Sequence, residues 1–411
     1  MPRNVTVFFL YFTTFAVMNA ASFDIHRSTR SVGGRYGAME MQEGPTTATI
    51  ARTSPMLRLS KNWGTTPQQN TRLREVLTFS ISLFRGAGQV VFQNSPISGL
   101  CIVAALFIQS KWIASVGMLG LASSTLAAII LDLGGDVEAA DGHMNSKITN
   151  GLFGFNGLLC GLAMASFHGE PWDAAIILPC VFVASMSSIL VEAFSKALPK
   201  DIPSLTLPFN LATSAYLLCA KGATNGLAPT CFQASSNVAA STAATSAVGS
   251  STMAALLGEG ILRGFGQVFL ADGLWSSGLI LLAMVIGHIP TTYCNGESSR
   301  TKGLIPKAAV ASVCGSFLGA LIAVSPSLMG FSASVASTGL WSYNALLGAA
   351  ALSGGLVDGS NTMSMLCALC CAVVGGSMTT ALAPLAGMPF LTFPFCIATM
   401  PFLFAAREIR D

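Results

Sequence analysis

Charge drops out of this chain in long stretches, and the stretches have the length of membrane crossings. Charge-free runs cover 86–110, 112–131, 148–169, 174–191 and 202–220 in the first half. The second half has 273–296, then 308–357 and 359–406, each of the last two long enough for a pair of crossings. About 20 apolar residues span a bilayer, so the pattern predicts five spans per half. An odd number per half turns the second half upside down relative to the first, which predicts an inverted repeat. Leu73–Phe92 and Met253–Leu270 read as amphipathic lead-ins to the two halves. Between the halves, 222–252 is rich in Ala, Ser and Thr and poor in Leu, Ile and Phe, and reads as a connecting loop.

Side-chain landmarks repeat in the same order. Gly-x-Gly-Gln at Gly86 to Gln89 recurs at Gly264 to Gln267, an offset of 178. Gly151-Leu-Phe-Gly-Phe-Asn156 matches Gly339-Leu-Trp-Ser-Tyr-Asn344, an offset of 188. Pro203-Ser-Leu-Thr206-Leu-Pro-Phe209 matches Pro389-Phe-Leu-Thr392-Phe-Pro-Phe395, both Pro-x-x-Thr-x-Pro-Phe. Two prolines break an apolar segment, and backbone that leaves the helix at membrane depth must be buried in protein or line a cavity. Broken segments at matching places in two halves point to a transport site.

Composition agrees with the membrane reading. The 411 residues are 52% hydrophobic and 9% charged, against roughly 25% charged in a soluble domain. Mean hydropathy is +0.64. A net charge of +3 with no basic patch excludes a nucleic-acid surface. The eleven cysteines are scattered through apolar runs and read as small hydrophobes, with no metal or cofactor motif among them. Lys and Arg near the span ends divide eleven to three, which puts both termini on the cytoplasm-like side. Residues 1–22 resemble a secretory signal peptide or an uncleaved anchor, and 23–72 a polar tail or transit segment. The membrane repeats then occupy 73–221 and 253–406, with a short tail at 407–411.

Few residues remain to carry chemistry. Gln89 and Gln267 offer amides with donors and an acceptor but no charge, either to a pathway or to a neighbouring helix. Thr206 and Thr392 lie between prolines, where a hydroxyl either repairs the broken backbone or faces the pathway. Phe92, Phe155 and Leu159, with their counterparts Leu270, Tyr343 and Leu347, form two sets that could make flat apolar slots for a planar molecule. No Asp, Glu, Lys or Arg lies within the inferred spans, although ion-coupled pumps need one there. No Walker-type phosphate loop is present, and His288 has no second histidine nearby. The pattern therefore predicts passive movement of a neutral polar solute. An intramembrane enzyme would need a nucleophile and base, or metal ligands, at membrane depth, and a receptor would not need duplicated broken helices.

On these residues the chain resembles the urea transporter family, whose signature is Leu-Pro-x-x-Thr-x-Pro-Phe in each half. Ile202 and Met388 stand at the leading Leu. Gln89-Val-Val-Phe92, Asn94-Ser-Pro96, Gly154-Phe-Asn156 and Pro394-Phe-Cys396 also look like that family, and the resemblance covers about 73–406. It implies an all-α multi-pass membrane protein, two inverted five-helix repeats with re-entrant half-helices around a pore, and a homotrimer with one pore per subunit. Urea is the implied partner, together with the lipid bilayer. Gln89, Gln267, Thr206 and Thr392 match the family's filter, and Phe92, Phe155, Leu159, Tyr343 and Leu347 its slots. Leu270 stands where some members carry an aromatic residue. The alternative on the same scaffold is a channel for ammonia, small amides or water. The plasma membrane is the expected location, with a plastid or other organelle envelope as the alternative.

Overall fold

The computed structural model describes residues 67–134, 145–168, 170–199, 202–224, 250–287, 307–325, 333–357, 359–382 and 388–408. The signal-like segment, nearly all of the polar tail, most of the connecting loop and His288 lie outside them. Contacts divide the chain into Met1–Leu77, described only along its last residues, and Thr78–Asp411, which holds the rest. Among the described residues the regular structure is helical. The first half carries α1 (Pro67–Gln89), α2 (Pro96–Gln109), α3 (Lys111–Ile130), α4 (Gly154–Phe167), α5 (Ile177–Ala197) and α6 (Leu207–Thr224). The second carries α7 (Ser250–Gln267), α8 (Leu274–Ile286), α9 (Lys307–Val324), α10 (Tyr343–Leu352), α11 (Asn361–Ser377) and α12 (Phe393–Glu408).

The expected spans fall into two kinds. Lys111–Ile130, Ala174–Ala197, Lys307–Val324 and Asn361–Thr380 are long and apolar enough to cross a membrane. They are the third and fifth helical positions of each half. The other apolar runs are interrupted. The run 86–110 is two helices, because α1 stops at Gln89 and α2 restarts at Pro96. Pro96 stands at the start of α2, and the Ser95 hydroxyl accepts from the Ser98 amide at 3.4 Å. The run 148–169 breaks after a single turn at Ser146–Thr149, and its counterpart breaks after Ala333–Ala336. The interruptions carry polar, helix-ending residues, Gln93-Asn94-Ser95, Asn150-Gly151 and Ser337-Thr338-Gly339, but none is charged, so a search for charge-free runs passes over them.

Small residues set the packing within each half. Helix α3 packs on α4 and α5, and α9 packs on α10 and α11. Gly157 and Gly161 on α4 face Gly120 and Gly117 on α3, so closely that a Cβ on Gly120 would sit 3.2 Å from the Gly161 nitrogen. The Ser188 hydroxyl of α5 donates to the Ser124 carbonyl of α3 at 2.7 Å.

The halves meet along α2 and α8, each of which follows the Gly-x-Gly-Gln motif of its half, and the two run antiparallel. The end of α2 meets the start of α8: the Gln109 Oε1 accepts from the Gly273 amide and the Ser276 hydroxyl, both at 3.0 Å. Its Nε2 donates to Asp272 at 2.6 Å. The start of α2 meets the end of α8, where a Cβ on Gly287 would lie 3.0 Å from that of Ser98. Gly273 has no capping side chain of its own, so Gln109 supplies the acceptor that the first turn of α8 needs.

Candidate functional site

The site is assembled where helices stop. At the end of α1 the Phe92 amide donates to the Gln89 carbonyl at 3.0 Å and the Gln93 amide to the Gly88 carbonyl at 3.0 Å. At the end of α7 the Leu270 amide donates to Gln267 at 3.1 Å and the Ala271 amide to Gly266 at 3.0 Å. Both are Schellman caps, which normally place glycine at the left-handed residue. Here that residue is Phe92, with φ 62°, or Leu270, with φ 58°. Leu205 and Leu391, each immediately before the signature threonine, are also left-handed, with φ 53° and 48°. Left-handed non-glycine residues are strained and gather at functional sites. Four of them, in matched pairs beside the predicted site residues, mark this region.

Each glutamine reaches from its strained cap to the loop before the next helix. Gln89 Nε2 donates to the Asn150 carbonyl at 3.0 Å, and Gln267 Nε2 to the Thr338 carbonyl at 3.0 Å. Both amides are half-buried, and the two acceptors are themselves repeat partners. Arg85, one turn before Gln89, donates to the Asn150 side chain at 3.1 Å. Arg85, one of the eleven Lys and Arg on the cytoplasm-like side, therefore holds the same loop as the glutamine.

Thr206 and Thr392 come together. Their hydroxyls are 2.7 Å apart, both residues are buried, and they precede the first turns of α6 and α12. The Asn156 Oδ1 accepts from the Phe209 amide at 3.2 Å and the Asn344 Oδ1 from the Phe395 amide at 3.3 Å. These asparagines supply acceptors for first-turn amides that have no partner within their own helix. Asn210 and Cys396, one step past each signature, complete the cluster. The Asn210 Oδ1 accepts from the Thr392 amide and hydroxyl, both at 3.1 Å, and Cys396 Sγ is 3.2 Å from the Thr206 hydroxyl. The sequence reading did not single out Asn210 or Cys396 as site residues. The available signal was Asn210, an amide directly after the first copy of the signature; Cys396 carried none, since a cysteine in an apolar run reads as a small hydrophobe.

The apolar candidates divide. Phe92 crosses to the other half and packs on Phe395, with ring centroids 6.3 Å apart and planes at 57°. Tyr343 donates its hydroxyl to the carbonyl of the strained Leu391, a bond that Phe155 cannot make. Phe155 and Tyr343 are half-buried, as are Phe92 and Leu270. Leu159 and Leu347 are enclosed, each 1% exposed.

The family description Urea transporter matches residues 81–294 and 304–407, most of the chain. The chain belongs to the urea transporter family. Among its relatives, "Urea transporter 1" of Ovis aries is 31% identical over 337 residues, covering 80% of this chain and 77% of the relative. "Urea transporter 1" of Rattus norvegicus is 30% identical over 346 residues, covering 81% and 78%. Membership makes the chain an integral, multi-pass membrane channel for urea rather than an enzyme. Within this urea transporter, His168 lies apart from the threonine pair, at the end of α4, with Nε2 2.9 Å from Asp173 Oδ2. A surface depression of about 480 Å³ beside it is lined by Lys111, Trp112 and Trp172 among others, and includes none of the candidate site residues.

Proposed function

We propose that urea moves down its gradient past Gln89, Thr206, Thr392 and Gln267, between slots made by Phe92, Phe155 and Leu159 on one side and Leu270, Tyr343 and Leu347 on the other. The contact between Thr206 and Thr392 carries this reading, because it joins the two signature motifs at one polar point between otherwise apolar helices. The strained caps at Phe92 and Leu270 support it, since they aim equivalent side chains from equivalent places in the repeat. Urea is planar and neutral, so hydroxyls, amides and backbone carbonyls can replace its water shell, while apolar slots offer a hydrated ion nothing.

The antiparallel packing of α2 on α8 supports two inverted repeats, over 73–221 and 253–406, in a lipid bilayer. We assign a homotrimer with one pore per subunit, located in the plasma membrane, with an organelle envelope as the alternative. Stopped-flow uptake into vesicles tests the transport reading, comparing urea, acetamide, ammonia and water. Urea flux should far exceed the leak of empty vesicles; ammonia or water flux outpacing urea would favour the other solute.

Coupling is expected to be absent. The inferred spans hold no ionisable carboxylate or amine to carry a proton or sodium ion. Urea flux should therefore be the same with and without an imposed pH or sodium gradient. A current that rises with urea concentration would contradict it.

A further inference from the structure

We propose that Asn210 and Cys396 orient the two threonine hydroxyls so that the centre of the filter offers a passing solute lone pairs and no free hydrogen. This rests on the reading of Thr206 and Thr392 as pathway residues. The orientation follows from one donor that cannot be reversed. The Thr392 backbone N–H lies 3.1 Å from one terminal atom of the Asn210 amide, and a backbone N–H can only donate. That terminal atom is therefore the oxygen, and the amide's other end, its NH₂, faces Cys396 Sγ at 3.5 Å.

The remaining directions follow by counting hydrogens. The Thr392 hydroxyl gives its single hydrogen to the Asn210 oxygen at 3.1 Å. It must then accept from Thr206, 2.7 Å away, which uses the only hydroxyl hydrogen of Thr206. Thr206 in turn accepts from the Cys396 thiol at 3.2 Å, and the thiol sulfur accepts from the Asn210 NH₂. Four side chains close a ring in which every link points the same way round. All four residues are buried. Each threonine oxygen is left with one unused lone pair and no unused hydrogen.

A site of this polarity selects for N–H. Urea has four N–H donors around one carbonyl; acetamide has nearly the same planar outline with two. The repeat is not symmetric here, because an amide on α6 faces a thiol on α12. The two threonines therefore differ: Thr392 donates to a fixed acceptor, whereas Thr206 depends on Thr392 to take its hydrogen.

That difference is the test, made by stopped-flow uptake of urea and acetamide into vesicles holding a known amount of the full chain. Thr392→Val leaves the Thr206 hydrogen without its acceptor, so the centre gains a donor that can hold any carbonyl. The ratio of urea to acetamide flux should fall about fivefold, the factor given by one ordinary hydrogen bond. Thr206→Val leaves Thr392 still donating to Asn210 and frees only the Cys396 thiol hydrogen, a weak donor, so urea flux falls but the ratio stays within about twofold. Asn210→Ala should lower the ratio as Thr392→Val does, and serves if that variant fails to fold. Cys396→Ser keeps every link and should keep the ratio. Equal ratios in Thr206→Val and Thr392→Val would overturn the oriented ring. Unaltered urea flux in both would instead overturn the pathway reading on which it stands.

Discussion

Gln89→Leu should lower urea flux by roughly fivefold to a hundredfold per folded molecule, the consequence expected of leaving about 1–3 kcal/mol of polar interaction unmet. Two losses combine. The Asn150 carbonyl loses the 3.0 Å bond from Nε2, and the path loses an amide that could take part of the solute's water shell. Leucine has nearly the same volume, so the apolar packing around the residue is preserved. Gln267→Leu should behave alike, because its amide makes the equivalent 3.0 Å bond to Thr338. The measurement is vesicle uptake normalised to protein that elutes as a single species. Flux equal to the unsubstituted protein would remove Gln89 from the mechanism.

Gly151→Ala should destabilise the fold more than any single change at the slots. Gly151 is left-handed at φ 75°, and a Cβ there would stand 2.6 Å from the Gly86 Cα and 2.8 Å from the Arg85 carbonyl carbon. Strain of the backbone alone is worth about 1–3 kcal/mol, and the clash adds to it because both neighbours are main chain. The same loop holds the acceptors of Gln89 and Arg85, so flux should fall together with stability. Gly339, left-handed at φ 77° and 2.6 Å by the same measure from the Gly264 nitrogen, is the second test. Gly258→Ala is the control, since a Cβ there meets nothing within 4 Å. Thermal unfolding in detergent, followed by loss of soluble protein, reads the difference. An unchanged midpoint for Gly151→Ala would mean the loop can move away from α1.

Much of the candidate site could be read along the chain because the membrane acts residue by residue. A charge inside the hydrocarbon is costly wherever it falls, so charge-free runs disclose the spans without reference to partners. The paired prolines around Thr206 and Thr392, and the glycines before Gln89 and Gln267, are likewise local signals. Helix interruptions were harder to see. Val90 to Ser95 continue a charge-free run, and the left-handed Phe92, followed by the cap at Ser95, ends one helix and begins another. Arg85 read as a topology marker because nothing in its neighbourhood named Asn150, 65 residues away, as its partner.

From the sequence alone came the membrane, the duplicated motifs and the choice of the glutamines and threonines as candidates, because each depends on local composition or on comparing one half with the other. The tertiary structure decided which of these groups touch. Thr206 meets Thr392 across 186 residues of chain, and Asn210 meets Cys396 across the same interval. No local preference encodes a contact at that separation. It exists because α2 packs antiparallel on α8 and because α6 and α12 start from broken backbone at one point. The direction of the hydrogen bonds there was settled by a single backbone N–H that can only donate.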